Sequence, residues 1–461
     1  MLSYSLYEKN NKNFNIYFND NNIYFNDNTA ISNQNEIAQQ NNISNIKNIT
    51  PLFTLINTQQ KIITQLSTAI TSELFNNQLN NINNLSSINQ TNFFDNQNYR
   101  IFFIKLKLKM LGVNNANKID KIIKRLSPSQ ASEFLNELER LVDILSSNDL
   151  EKKLHPKVVK AIKKSTSLSM IGIGIGIGIK IKREFETLKD FAIKLLTDLI
   201  DVLADPNLIS QGSKGTCAQT TIERSIAERN PAQYVKIITD LITKGEYIAP
   251  NGQRIPLNEG GIKKALSEKD NRYLTTRIIT PSFMEFYYDK DPDKNDYDDD
   301  NDEEVSSKSK GSSSIETASA IYNTEYKSMY VESYDNTTKT LILKTLLTLS
   351  KSKYPIFLSV NYNKDPNNNK IVHAVELKDI TTNSITVSNP WGQIETYTNT
   401  GKNIENSKHR DGYNTEIQNY QDFIKRITFI IFSKELLLLA IQSEPLLSKL
   451  LPNIYYPKKM K

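Results

Sequence analysis

Q-G-S-K-G-T-C-A, residues 211–218, leads out of a glycine-containing turn into a helical pattern. Behind Cys217 the apolar residues Ile222, Ile226 and Ala227 recur at helical spacing. Asn230-Pro231-Ala232-Gln233 caps a second helix, with Val235, Ile238, Leu241 and Ile242 facing inward and Gly245 as its stop. Downstream the period changes. After a helix over 339–349, strand patterns follow at 356–360, 371–377, 384–388 and 426–432. Helices first and strands after predict an α+β domain with two segregated halves, over residues 196–434.

Upstream of this domain the chain reads in two stretches. Residues 1–97 are rich in Asn, Gln, Ile and Ser and hold a tandem repeat, N-I-Y-F-N-D-N at 15–21 and again at 22–28. Such bias predicts a low-complexity, partly disordered segment, with helical spacing over 54–79. Residues 98–195 read as a basic, mostly helical region. Ser127-Pro128-Ser129-Gln130 is a capping box with a first-turn proline. Ala131, Phe134, Leu135, Leu138, Leu141, Val142 and Leu145 follow at threes and fours. Shorter helices are expected at 118–126 and 156–164, a strand or hinge at the I-G repeat 171–179, and another helix ending before Asp205-Pro206. Residues 435–461 read as a C-terminal tail.

Charge divides these regions. Residues 100–183 carry 18 basic side chains against 7 acidic ones, so an acidic surface is the partner class this region suits, although a solvated lysine face is the plainer account. No aromatic-interleaved motif points to nucleic acid. Residues 289–304 hold ten acids and two lysines, inside an expected flexible insertion at 289–314. Its D-x-D-x-D start lacks the glycine a calcium loop needs, since Lys294 stands there. One Cys and three scattered His make no zinc site, and neither metal nor cofactor is expected. The start M-L-S-Y-S-L-Y-E-K-N lacks a signal-peptide pattern, and the run at 170–179 falls short of a spanning helix. The expectation is a protein without a transmembrane segment, cytoplasmic or exported by a route that leaves no N-terminal mark.

A lone cysteine is ordinarily a small buried apolar residue. Cys217 has a different setting. A thiol at a helix start is favoured as thiolate by the partial positive charge there. A histidine pairs with the thiolate and returns its proton to a leaving group, and a third residue must hold that histidine in one tautomer. His155 precedes a proline in a lysine-rich stretch and His409 lies in a polar S-K-H-R-D-G loop. His373, in I-V-H-A-V-E-L, sits in a strand, with Asn389 ending a second strand soon after. Two adjacent antiparallel strands would bring them together. The Cys217 backbone N–H and the Gln211 side-chain amide would suit a developing oxyanion.

Q-G-S-K-G-T-C-A, H-A-V and N-P-W-G resemble the active-site blocks of papain-like cysteine proteases, with N-P-W-G closest to the calpain branch. The resemblance covers roughly residues 200–434. It implies a papain-like two-lobed domain, one helical lobe and one antiparallel β lobe, behind an N-terminal mostly helical, Asn-rich extension. It implies Cys217 as nucleophile, His373 as general base and acid, Asn389 as imidazole orienter, Gln211 as oxyanion-hole donor and Trp391 as a shield over the His–Asn contact. The implied activity is a peptidase or isopeptidase acting on a protein or peptide through a thioester. A deamidase or transglutaminase-type acyl transferase, and a non-catalytic interaction protein on the same scaffold, are the alternatives. The chain departs from the family at Ala218, where an aromatic residue is usual near the cysteine. Calpain's calcium ligands are not recognisable.

Overall fold

Ser127 Oγ accepts a hydrogen bond from the backbone N–H of Gln130, whose side-chain oxygen accepts in turn from the Ser127 N–H. This reciprocal cap starts a helix over Pro128–Leu145, as the capping-box sequence predicts. The computed structural model describes residues 2–7, 13–19, 22–26, 97–167, 187–212, 215–258, 262, 272–288, 312–350, 354–364, 370–405, 417–443 and 454–455. The I-G repeat, the helical spacing at 54–79, His409 and most of the acidic insertion lie outside the described residues.

Contacts divide the chain into two units, Met1–Gln90 and Thr91–Lys461. In the first, β1 (Leu2–Tyr7), β2 (Asn13–Asn19) and β3 (Asn22–Asn26) form an antiparallel meander. The two copies of the tandem repeat pair with each other here, Ile16 with Phe25 and Tyr17 with Tyr24.

The second unit is mixed helix and antiparallel sheet, an α+β arrangement. Its first helices are α1 (Gln97–Leu111), α2 (Ile119–Ile123), α3 (Pro128–Leu145), α4 (Leu150–Lys153), α5 (Pro156–Ser167) and α6 (Leu188–Ala204). They continue with α7 (Cys217–Arg229), α8 (Pro231–Lys244), α9 (Leu274–Tyr288) and α10 (Ser312–Tyr322). A small ribbon, β4 (Glu246–Ile248) with β5 (Arg254–Pro256), lies between α8 and α9 in sequence. Asn230 caps α8 by accepting from the Gln233 N–H, and Gly245 ends it at φ 75°. Glycine is needed there twice over, for the left-handed backbone and for room. A Cβ on Gly245 would lie 2.6 Å from His155 Nε2. That histidine has a structural task, since its Nδ1 accepts from the Lys157 N–H at the start of α5.

The remaining strands are β6 (Tyr326–Tyr330), β7 (Phe357–Lys364), β8 (Lys370–Ile380), β9 (Ser384–Asn389), β10 (Gln393–Thr398), β11 (Gly401–Glu405), β12 (Ile427–Ser433) and β13 (Ile454–Tyr455). They form one sheet in the order β11-β10-β9-β8-β7-β12-β6-β13, each neighbouring pair antiparallel. Interspersed are α11 (Asn336–Ser350), α12 (Tyr420–Arg426) and α13 (Lys434–Ser443). Residues 435–461, which read as a tail, thus supply most of a helix and a short strand.

Strand alternation gives the sheet two apolar faces. Phe357 and Ile431, opposite each other, join a core made by α1, α3, α5–α10 and their neighbours. Leu358 and Ile430, the next pair along, join a second core with Ile342 and Leu346 of α11, Phe423 of α12 and Leu436 of α13. The helices of the basic region and those after Cys217 share the first core, through Phe134, Leu138, Leu195, Ile226 and Ile238 among others. Among the described residues, no helix is long and apolar enough to cross a membrane.

Candidate functional site

α7 begins at Cys217, so the thiol stands at the positive end of that helix. Three contacts run α7 alongside β8 in the same direction. Thr221 Oγ1 donates to the Ala374 carbonyl at 3.0 Å, Arg229 pairs with Glu376 at 2.8 Å, and Glu228 pairs with Lys378 at 2.5 Å. Cys217 lies one helical turn before Thr221, and His373 directly precedes Ala374 on β8. The loop before the helix is tied to the same place. The Gln211 N–H donates to the Pro390 carbonyl at 2.7 Å, and Gly212 turns the chain at φ 60°. Gln211 itself is buried, and Cys217 is half-buried.

β8 and β9 bring His373 and Asn389 together, as the strand reading anticipates. His373 Nε2 lies 2.9 Å from Asn389 Oδ1, with both side chains buried. An amide oxygen only accepts, so Nε2 carries the proton and Nδ1 is left as the basic nitrogen. Asn389 Oδ1 also accepts from the Trp391 backbone N–H at 3.1 Å. The indole of Trp391 stacks on the imidazole, with ring centroids 4.2 Å apart and planes 19° from parallel. Burial pulls the His373 pKa down to about 4, against smaller upward pulls from Asn389 and the Glu395 carboxylate. His373 is therefore neutral near pH 7 until a proton is delivered to it.

Other groups in this region escape sequence reading. Arg224, on α7 and fully buried, donates from Nη1 to the carbonyls of Asn389 and Gln393 and from Nη2 to Asn207 Oδ1. It clamps the N-P-W-G turn onto the helix that Cys217 opens. Burial lowers its pKa to about 10, which leaves it charged at neutral pH. Tyr362 of β7 meets the His373 ring edge-on at 4.8 Å. Beside Arg224 in the sequence of α7, Glu223 accepts from Tyr234, Thr276 and Thr280, and burial pushes its pKa up to about 7. These partners lie 11 to 169 residues apart in sequence, so no local motif links them. Such buried polar residues sit where an apolar pattern is looked for.

No family model matches the chain, and no curated protein or solved structure matches it significantly.

The arrangement can hold an imidazole in one tautomer, cover it from water with an indole, and fix the turn that carries its amide partner to a helix with a thiol at its start. A neutral, oriented imidazole is chemically suited to accept a proton and return it. The described residues thus place His373, Asn389 and Trp391 in mutual contact. They place the backbones of Gln211 and Cys217 on elements bonded to that group.

Proposed function

We propose that this chain is a papain-like cysteine hydrolase, a peptidase or isopeptidase that cleaves protein or peptide amide bonds through a thioester. In this reading Cys217 attacks the scissile carbonyl while His373 takes the thiol proton. The Cys217 backbone N–H and the Gln211 side chain stabilise the oxyanion. The amine then leaves with the proton from His373, and a thioester remains on Cys217. Water, deprotonated by His373, releases the acid and restores the thiol. Asn389 holds the imidazole and Trp391 covers the His–Asn bond. The helices of the first core and the sheet with its second core would be the two lobes of the papain-like domain.

One observation carries the reading: a buried imidazole bonded to an amide oxygen and covered by an indole, on a strand bonded one turn into the helix that the lone cysteine opens. A peptide-derived thiol electrophile tests it, with labelling rates followed by intact mass. The wild type should react far faster than a simple thiol. Cys217→Ala should abolish labelling and His373→Ala should slow it by about 10²-fold or more. Wild-type labelling at the rate of a simple thiol, unmoved by His373→Ala, would overturn the proposal. Product masses on a glutamine-containing protein separate hydrolysis from deamidation and amine transfer.

A further inference from the structure

Behind the His373–Asn389 pair, a buried carboxylate is in contact with two phenols. Tyr362 and Tyr397 each donate to Glu395 Oε2 at 2.8 Å, and Glu395 Oε1 pairs with Lys402 Nζ at 3.0 Å. Glu395 has no exposed surface. Tyr362 reaches the other way as well. Its oxygen accepts a long bond from Asn389 Nδ2 at 3.5 Å, and its ring is perpendicular to Trp391.

We infer that Tyr362 and Glu395 are positioning residues for the His373–Asn389 pair. The inference rests on the thiol-hydrolase reading of that pair. A phenol has a single proton. The Tyr362 O–H donates its hydrogen bond to Glu395 Oε2, so the Tyr362 oxygen can only accept from Asn389. That fixes which end of the amide is Nδ2 and turns Oδ1 toward His373 Nε2 and the Trp391 N–H. The proton on Nε2, and with it the basic lone pair on Nδ1, follows from a charge one phenol away. The same charge favours imidazolium when His373 accepts the thiol proton, and burial keeps that effect from being screened. Lys402 of β11 holds the other carboxylate oxygen, Oε1.

The groups facing His373 are Tyr362 from β7, Asn389 from β9 and Trp391 from the turn beyond it. Glu395 of β10 acts on it at longer range. Glu376 on its own strand is occupied by Arg229 and Lys378, and Arg224 of α7 by the carbonyls of Asn389 and Gln393. Removing the Glu395 charge should therefore act on His373 without a substitute on these elements. In Glu395→Gln the new amide can donate to the Tyr362 oxygen, which releases the phenol proton toward Asn389 and reverses the order of donors.

The test uses the full chain and iodoacetamide, because Cys217 is its one thiol. Alkylation rates are measured from pH 3 to 9, alongside melting temperatures. Glu395→Gln should lower the rate and move the acidic limb of the profile down by about half to one pH unit. Tyr362→Phe should lower the rate by about 10-fold and leave the limb in place, since the charge stays. It carries the test alone if Glu395→Gln fails to fold. Tyr397→Phe deletes a bond of equal length to the same carboxylate and should cost less than Tyr362→Phe. Wild-type rates and limbs in both Glu395→Gln and Tyr362→Phe overturn the inference. So does an equal loss in Tyr397→Phe, which would mark general loosening. If His373→Gln leaves the wild-type rate unchanged, the hydrolase reading fails first, whatever Glu395 does.

Discussion

Asn389 Oδ1 accepts from His373 Nε2 at 2.9 Å and from the Trp391 N–H at 3.1 Å, so one amide oxygen orients both the imidazole and the turn that carries its cover. Asn389→Ala removes both bonds and leaves His373 able to change tautomer. The expected result is a fall of about 10²-fold in the rate at which a peptide electrophile labels Cys217, with labelling still confined to that residue. Asn389→Asp keeps an acceptor and should retain more of the rate than alanine does.

Arg224 predicts a different kind of loss. It is buried and serves the carbonyls of Asn389 and Gln393 together with Asn207. Arg224→Met keeps the apolar stem and deserts these acceptors inside the protein. Thermal or denaturant unfolding should show a loss of about 2–5 kcal/mol. The labelling rate of the folded fraction should fall too, because the N-P-W-G turn is no longer fixed to the helix of Cys217.

Gly245→Ala tests packing away from the site. The residue combines a left-handed φ of 75° with a Cβ position 2.6 Å from the His155 ring. A loss of about 1–3 kcal/mol in stability is expected, with the labelling rate of folded protein unchanged. His155→Ala should relieve the steric part, so the double variant should be more stable than the sum of the two single losses implies.

Two buried groups make opposite contributions to stability over nearly the same pH range. His373 titrates near 6.5 when unfolded and about 4 when folded. Its contribution is fully present above about pH 6.5 and is lost as pH falls through 4, on the order of 3 kcal/mol in all. Glu223 titrates near 4.5 when unfolded and about 7 when folded. Its contribution is fully present below about 4.5 and is lost as pH rises through 7, by a similar amount. Between about pH 5 and 6.5 the two slopes oppose each other. Glu223→Gln should make stability fall more steeply on acidification than in the wild type. His373→Gln should make it fall on going from pH 5 to 7. Urea midpoints measured across this range check both, and parallel curves for all three proteins would refute the assignment.

Much of this architecture is legible in the sequence where local rules act alone. The Ser127 capping box, the Asn230 cap, the Gly245 stop and the strands β7 and β12 all appear where the residues predict them. The juxtaposition of His373 and Asn389 follows from two neighbouring antiparallel strands. β10 was missed because Glu395 is buried and ion-paired on a strand where apolar side chains are sought. α9 was missed because it is rich in Thr and Ser and carries Pro281 within it. Arg224 reads as one more surface arginine until the fold brings carbonyls from the far end of the domain to it. Residues of this kind are defined by their partners, and the partners come from tertiary structure.

The stack of Trp391 on His373 gives this protein a built-in optical label. The chain has a single tryptophan, so its indole emission comes from one side chain, and that indole lies against one imidazole. Ionisation of the ring, occupation of the neighbouring surface, or opening of the N-P-W-G turn would each register as a change in one fluorophore. With one thiol available for an acceptor dye, energy transfer between residues 391 and 217 would follow the separation of the sheet and the helical core in unmodified sequence.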